Sequence, residues 1–249
     1  MGHDVDSGAN QFGGSATTDN LTLTVGKFSV VDVFTINRYA HDPRDDFLNW
    51  SVIDAGTFGY AADAWGFTYG AAAELTKGSW TTRVGFFQLS RVPNGKIVAI
   101  DFSQYSYVVE VERRHNWYGF AGKVKVLGFV NRGRMGSYAD AVALAQTTNT
   151  QPDISFVRKK SSRAGISLNV EQELTEGVGL FGCASINNGS KEAYEFTEIN
   201  RSVSGGLSFN GKLWGRADDV FGLAAVLNGL STSAPAFFAA GWLGILVGR

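Results

Sequence analysis

Charged and amide side chains recur at alternate positions in several segments of this sequence. Arg83 stands between Thr82 and Val84, Glu110 and Glu112 flank Val111, and Asn169 and Glu171 flank Val170. In an extended chain alternate side chains project from the same face, so each set would line one side of a strand. Groups of this kind can hold water, bind a polar solute or pair with one another in a network that stiffens a wall. The sequence leaves these interpretations open.

Catalytic and metal-binding patterns are weak by comparison. The chain has three histidines and one cysteine, Cys183, so an internal disulfide and a cysteine-rich metal site are excluded. His41 lies near Asp42, Asp45 and Asp46, but no second histidine stands at a ligand spacing. No phosphate-binding glycine loop and no nucleophile elbow occur. We therefore predict no enzyme activity, no metal and no cofactor.

The elements that would position the alternating side chains are predicted from hydrophobic periodicity. Apolar and polar residues alternate in successive segments, which predicts about nine antiparallel strands. The segments are 21–26, 65–75, 80–87, 105–112, 123–130, 164–171, 178–187, 202–210 and 220–228. Most are about 10 residues long, the length that a tilted strand needs to cross a bilayer. In segment 123–130 both faces carry apolar groups, and Lys123 and Lys125 would face inward only if Val124 and Val126 face outward.

The connections between these segments alternate in length. Longer connections at 28–64, 90–104, 135–161 and 188–200 precede shorter ones at 76–79, 115–122, 175–177 and 211–218. Barrels of the bacterial outer membrane have long loops outside and short turns in the periplasm. The pattern therefore predicts an all-β fold, an antiparallel transmembrane β-barrel of porin type, formed by residues 1–249 as a single domain.

Composition agrees with a barrel and excludes some other classes. Aromatic residues make up 13% of the chain and glycine contributes 31 residues, whereas proline contributes only 4. No apolar run of about 18 residues is available for a transmembrane helix, and a formal net charge of -1 offers no basic surplus for nucleic acid. Nine strands do not match the even count of closed bacterial barrels. We therefore expect a barrel truncated at both ends, without a leader and without an aromatic-ended strand over 241–249. A mis-set register or a missed strand near the N-terminus is the competing explanation.

Several blocks of the sequence, in combination, resemble the carbohydrate-selective porin family of OprB type. They include NRYAHDPR at 37–44, LGFVNRGRMG at 127–136 and WGRADD at 214–219. Further similar blocks lie at 27–34, 46–50, 60–66, 112–115 and 194–197. The resemblance implies a 16-stranded porin of the outer membrane, narrowed by inward-folded loops, that passes sugars. Its implied partners are a carbohydrate solute and outer-membrane lipid, with a possible homo-oligomer.

The resemblance and the strand pattern together define candidate pore-lining residues. The candidates in the constriction loop 28–64 are Asp32, Asn37, Arg38, Asp42, Arg44, Asp46 and Trp50. The candidates on strands are Arg83, Glu110, Glu112, Lys125, Asn169 and Glu171. Arg132 and Arg134 are added at the outer end of their strand, where we expect loop geometry to replace strand parity. The loop could instead be a self-packed plug, and aromatic residues such as Trp80, Tyr105 and Tyr107 read as a membrane-interface girdle. An outer-membrane barrel enzyme and a soluble ligand-binding β-barrel are the alternative functions.

Overall fold

Nine antiparallel strands form one sheet in the computed structural model of the chain, which describes residues 2–5, 14–196 and 198–241. The strands are β3 (Asn20–Phe28), β4 (Thr68–Lys77), β5 (Trp80–Gln88), β6 (Tyr105–Trp117), β7 (Phe120–Met135), β8 (Lys159–Thr175), β9 (Val178–Asn187), β10 (Arg201–Asn210) and β11 (Val220–Gly229). Each strand pairs with the next along the chain. The prediction of nine antiparallel strands is confirmed, whereas the expectation for 242–249 lies outside the described residues.

The remaining elements are short. A separate hairpin pairs β1 (Gly2–Val5) with β2 (Gly14–Thr17). The helices are α1 (Trp50–Ile53), α2 (Tyr138–Thr148) and α3 (Ala234–Ala239), and three 3-10 turns cover Val30–Asp32, Ile154–Val157 and Gly211–Trp214. At the start of α2 the Ser137 side chain accepts a hydrogen bond from the Asp140 backbone amide, which satisfies one free donor of the first turn. Among the described residues, none of these helices combines the length and the apolarity needed to cross a membrane.

The strand register separates an apolar outer face from an inner face. Across β6 and β7, Tyr107 lies opposite Val130 and Val111 lies opposite Val126, and residues opposite each other in an antiparallel pair share a face. All four side chains are exposed. Lys123 and Lys125 have the other parity, so the structure resolves the ambiguous segment with Val124 and Val126 outward and both lysines inward.

Long connections lie at one end of the sheet and short turns at the other, as expected. The long connections are 29–67, 89–104, 136–158 and 188–200, and three of the short turns have two residues each, at 78–79, 118–119 and 176–177. The predicted start of the second strand was wrong, because Trp65 and Phe67 lie in the first long connection. The Asp63 carboxylate accepts hydrogen bonds from the backbone amides of both residues and holds them in a turn.

Segment 29–67 folds against the inner face of the sheet and forms an apolar core there. Phe34 and Phe58 are fully buried, and they contact Phe87 and Phe129 on the strands. The inward side chains Leu127 and Phe129 are therefore covered by protein, although the sequence predicted a wettable inner face. Apolar side chains are stable on the inner face near the long-loop end because segment 29–67, and not water, contacts them.

Candidate functional site

Ionised side chains from three neighbouring strands meet on the inner face around Arg83. Its guanidinium Nε lies 2.6 Å from Glu74 Oε2, and its Nη1 lies 2.8 Å from Glu110 Oε1 and 3.0 Å from Glu112 Oε2. Arg114 adds a second cation, with Nη1 2.8 Å from Glu112 Oε1. The register causes this grouping, because Glu74, Arg83 and Glu110 are cross-strand partners on β4, β5 and β6.

A second ionic group lies on β7 and β8, where Glu171 is opposite Lys123. The Lys123 Nζ atom lies 3.1 Å from Glu171 Oε1, and Lys125 Nζ lies 4.0 Å from Glu171 Oε2. Lys125 is almost fully buried. The strand residues predicted from alternation are thus brought together, and the contacts between them are those of an ion-pair network.

Polar groups of this wall also bind the backbone of the long connection. The Glu110 carboxylate accepts a hydrogen bond from the Thr35 amide at 2.9 Å, and Glu171 accepts one from the Arg38 amide at 2.8 Å. Asn169 accepts from the Asn37 side-chain amide at 2.8 Å and donates to the Thr35 carbonyl at 3.3 Å. The structure therefore joins loop candidates to wall candidates, and the wall carboxylates fix the loop position.

The other candidates in the long connection have different surroundings. Asp46 accepts hydrogen bonds from the His41 and Asp42 amides, and Asp42 accepts one from the Arg44 amide, so the acidic residues order a local turn. Asp32 is exposed in a 3-10 turn. Trp50 stacks on Tyr60 at a centroid distance of 5.4 Å and packs against the apolar core rather than against the ionic wall.

Arg132 and Arg134 do not share the inner face, which corrects the prediction that they line a pore. Arg132 lies opposite Tyr105, and its parity on β7 is that of Val126 and Val130, which face outward. Its Nη1 atom donates to Ser162 Oγ at 3.0 Å across the β7–β8 pair. The regular strand continues to Met135, so parity holds to the strand end and no loop turns these side chains inward.

A cavity of about 540 Å³ opens at the short-turn end of the inner face. It is lined by Arg38, Tyr39, Asp46, Glu173, Glu176, Gly177, Val178, Gly179, Ser208, Asn210, Lys212, Leu213 and Val220. Arg38 Nη1 lies 3.8 Å from Glu173 Oε2, so a cation and a carboxylate stand together at its edge. The Tyr39 ring lies against Gly179, where any side chain would collide with it.

Two carboxyl groups outside the strands have altered acidity. Burial raises the pKa of Glu195 to about 9 and that of Asp54 to about 7. Ser90 Oγ lies 2.6 Å from Glu195 Oε1 and 2.6 Å from the Val92 carbonyl. Since a hydroxyl has one proton, a protonated Glu195 can donate to Ser90 while Ser90 donates to Val92.

Within 2–5, 14–196 and 198–241, no cluster of three His, Cys, Asp or Glu side chains could hold a metal ion.

Comparison with known proteins decides the family. The model of the carbohydrate-selective porin, OprB family matches residues 10–243. The chain belongs to this family. OprB porins reside in the bacterial outer membrane, and the match confirms the resemblance stated above. A comparison with curated protein sequences gives no match.

A solved porin shows the same fold. A high-pH structure of OprB from Pseudomonas putida superimposes with a TM-score of 0.68 at 15% sequence identity, over 88% of this chain and 54% of that chain. At this identity the likeness concerns the fold alone. The chain thus spans about half the length of the solved porin that it matches.

Sequence reasoning found only part of the cavity of this porin chain. Arg38 and Asp46 were candidates, whereas Tyr39, Glu173 and Asn210 were not. Alternation could have found two of these, because Glu173 continues the parity of Glu171 and Asn210 that of Ser208. Tyr39 carries no such signal, since its position depends on how the long connection folds back onto the wall.

Proposed function

We propose that this chain forms part of the wall and the constricting loop of a channel that passes carbohydrates across the bacterial outer membrane. The observation that carries the proposal is the polar cavity of about 540 Å³ beside an inner wall of balanced charge. In the half of the wall nearer the short turns the carboxylates are Glu74, Glu110, Glu112, Glu171 and Glu173. The cations paired with them are Arg83, Arg114, Lys123 and Lys125 on the strands and Arg38 on the long connection.

Paired opposite charges suit a neutral polar solute. A ring of one sign would favour counter-ions, whereas paired charges leave little net field for an ion to follow. Sugar hydroxyls can donate to carboxylates such as Glu173 and accept from Arg38, and the Tyr39 ring offers a flat apolar face. These contacts are weak enough individually for release, which conduction requires.

The remaining candidates support the channel indirectly in this proposal. Arg83 and its carboxylates stiffen the wall, while Asn37, Lys125, Asn169 and Glu171 set the loop position. Asp42 and Arg44 order the turn that presents Asp46 to the cavity. Asp32 and Trp50 have no assigned contact with the solute.

The outer face supports a membrane-spanning orientation. Tyr107 and Trp117 are exposed and share the outward parity of β6, ten residues apart and hence about 33 Å along the strand. At a tilt of about 40° this separation projects to about 25 Å, the usual height of the apolar band between aromatic girdles. We propose that this band contacts lipid and that the long connections face outside, with further strands of the full-length protein completing a larger barrel.

Planar-bilayer conductance of the full-length protein tests the channel. Added mono- or oligosaccharide should reduce the ion current in proportion to occupancy. The double variant Arg38→Gln/Glu173→Gln removes one cation and one carboxylate, so ion selectivity should persist, while about tenfold more sugar should be needed for the same block, because hydrogen bonds to charged groups are lost.

The matched control is Arg216→Gln/Asp219→Asn, which removes an exposed ion pair with a 2.7 Å contact outside the cavity lining. It should leave both the conductance and the sugar block unchanged. A current that no sugar reduces would refute the carbohydrate channel, and an equal effect of both variants would refute the assignment of the cavity.

A further inference from the structure

A cluster of basic side chains lies at the long-loop end of β7 and β8. A cleft of about 680 Å³ there is lined by Arg91, Ser103, Gln104, Arg134, Arg158, Lys159 and Lys160. Five of these seven residues are cations. The inner-wall network uses none of them, and the chain as a whole carries a net charge of -1.

Three of the five cations already have carboxylate partners. Arg91 pairs with Asp101, Arg158 with Glu192 and Lys159 with Asp140. For Arg134 and Lys160 the part of the chain that the structure describes contains no carboxylate within ion-pair distance. Both side chains are exposed.

The register places these two unpaired cations against each other. Arg134 and Lys160 are direct cross-strand partners on β7 and β8, and like charges in this arrangement destabilise a sheet. The Arg134 backbone amide donates to the buried Gln104 side chain at 2.7 Å, which fixes the position of the backbone. An anion between the two cations would convert this repulsion into attraction.

The position of the cluster relative to the bilayer indicates which anion that would be. Phe86, Phe102, Tyr105 and Tyr107 form a contiguous aromatic group on the outward side at this end. Arg132 lies opposite Tyr105, and Arg134 lies two residues farther from the membrane centre. Aromatic girdles mark the membrane–water interface, so the cleft lies at the level of lipid headgroups.

We propose that this cleft binds a phosphate group of the outer-leaflet glycolipid, lipid A, through Arg134 and Lys160, with Arg132 as a neighbouring cation. The proposal rests on the orientation given above, in which the long connections face outside. An arginine guanidinium can hold two phosphate oxygens at once, and the lysine ammonium adds a point charge. The ligand is a lipid because Arg134 and Lys160 have the outward parity of β7 and β8, the face that this orientation turns toward the bilayer.

Titration of the full-length protein in detergent with lipid A, monitored by native mass spectrometry, tests the site. Bisphosphorylated lipid A should bind, lipid A stripped of its phosphates should bind far more weakly, and added salt should weaken binding through screening. The double variant Arg134→Gln/Lys160→Gln should bind lipid A about 30-fold more weakly, the factor expected for two cations near an anionic surface. Lys160→Arg should retain binding, because it keeps the charge.

The matched control is Lys77→Gln/Arg113→Gln, which removes two exposed cations at the short-turn end. It should bind lipid A like the parent protein. Equal loss in the control, unchanged binding by the Arg134/Lys160 variant, or binding of dephosphorylated lipid A with full affinity would overturn the proposal. If inorganic phosphate binds as tightly as lipid A, the site binds a free anion, and the proposal that its ligand is a lipid is refuted. Sugar block of the conductance reports separately on the channel, so the failure of one proposal leaves the other distinguishable.

Discussion

At the scale of single residues, Glu110 shows how several partners make a buried charge on the inner wall acceptable. Glu110 is 1% exposed, yet it contacts Arg83 and accepts a hydrogen bond from the Thr35 amide. A buried carboxylate without such partners would cost several kcal/mol. The same residues therefore cannot be exchanged singly, and alternation in the sequence revealed their face but not their pairing.

Glu195 gives a residue-scale prediction for pH. Its pKa rises from the ordinary 4.5 to about 9 in the folded protein because the carboxyl group is buried. The folded state then holds a proton that the unfolded state has lost, so this contribution is full below about pH 4.5 and is lost as pH rises to about 9. Glu195→Gln keeps a neutral side chain and should flatten the fall in melting temperature between these limits.

Thermal unfolding of the full-length protein across this pH range measures the effect. Glu176→Gln provides the control, since Glu176 is exposed at a two-residue turn, and its profile should follow that of the parent protein. A Glu195→Gln variant with an unchanged slope would mean that the carboxyl group is ionised in the folded state.

At the scale of elements, the long connection and the wall act as one unit. Asn169 on β8 bonds both the Asn37 side chain and the Thr35 carbonyl, whereas Ser167, two residues away on the same face, makes no hydrogen bond to segment 29–67 among the described residues. Asn169→Ala should therefore loosen the loop next to the cavity-lining residues Arg38 and Tyr39, and Ser167→Ala should not.

Single-channel recording of the full-length protein tests this coupling. We expect Asn169→Ala to increase current noise and to weaken sugar block several-fold, because two hydrogen bonds of about 1 kcal/mol each are lost. Ser167→Ala should leave both quantities unchanged. A quiet channel with unaltered sugar block in Asn169→Ala would show that the loop is held by its apolar core alone.

The strands could be predicted from the sequence because alternation depends on local parity alone. The pairing of the loop with the wall could not, since Asn37 and Asn169 are 132 residues apart and nothing local marks them as partners. The prediction that Arg132 and Arg134 line the pore was wrong for the opposite reason. Their parity could be read from the sequence, but the loop does not reorient them, because β7 runs regularly to Met135. The inward position of the apolar side chains Leu127 and Phe129 is explained by segment 29–67, which covers them.

At the scale of the whole molecule, the sheet has an apolar outer face and an inner face that segment 29–67 partly covers. Outward residues such as Leu23 and Ile166 are 67% and 52% exposed, which a soluble protein would avoid over so long a surface. Within the described residues the sheet ends at β3 and β11. The neighbouring solved porin, of which the chain covers 54%, has length for further strands beyond those matched.

If lipid surrounds this outer face, the destabilisation caused by a charged substitution should depend on its depth in the bilayer. Leu168 faces outward in the middle of β8, opposite Val126, so Leu168→Arg places a charge near the bilayer centre and should lower the free energy of unfolding by about 2–4 kcal/mol. Leu75 also faces outward, opposite Leu21, but stands near the end of β4 beside a short turn, and Leu75→Arg should cost about 0–1 kcal/mol because its guanidinium reaches the interface. Denaturant unfolding of the full-length protein in phospholipid vesicles measures both values. Equal costs at the two positions would contradict a hydrocarbon layer around the sheet, since only that layer distinguishes a charge at mid-strand from a charge at the strand end.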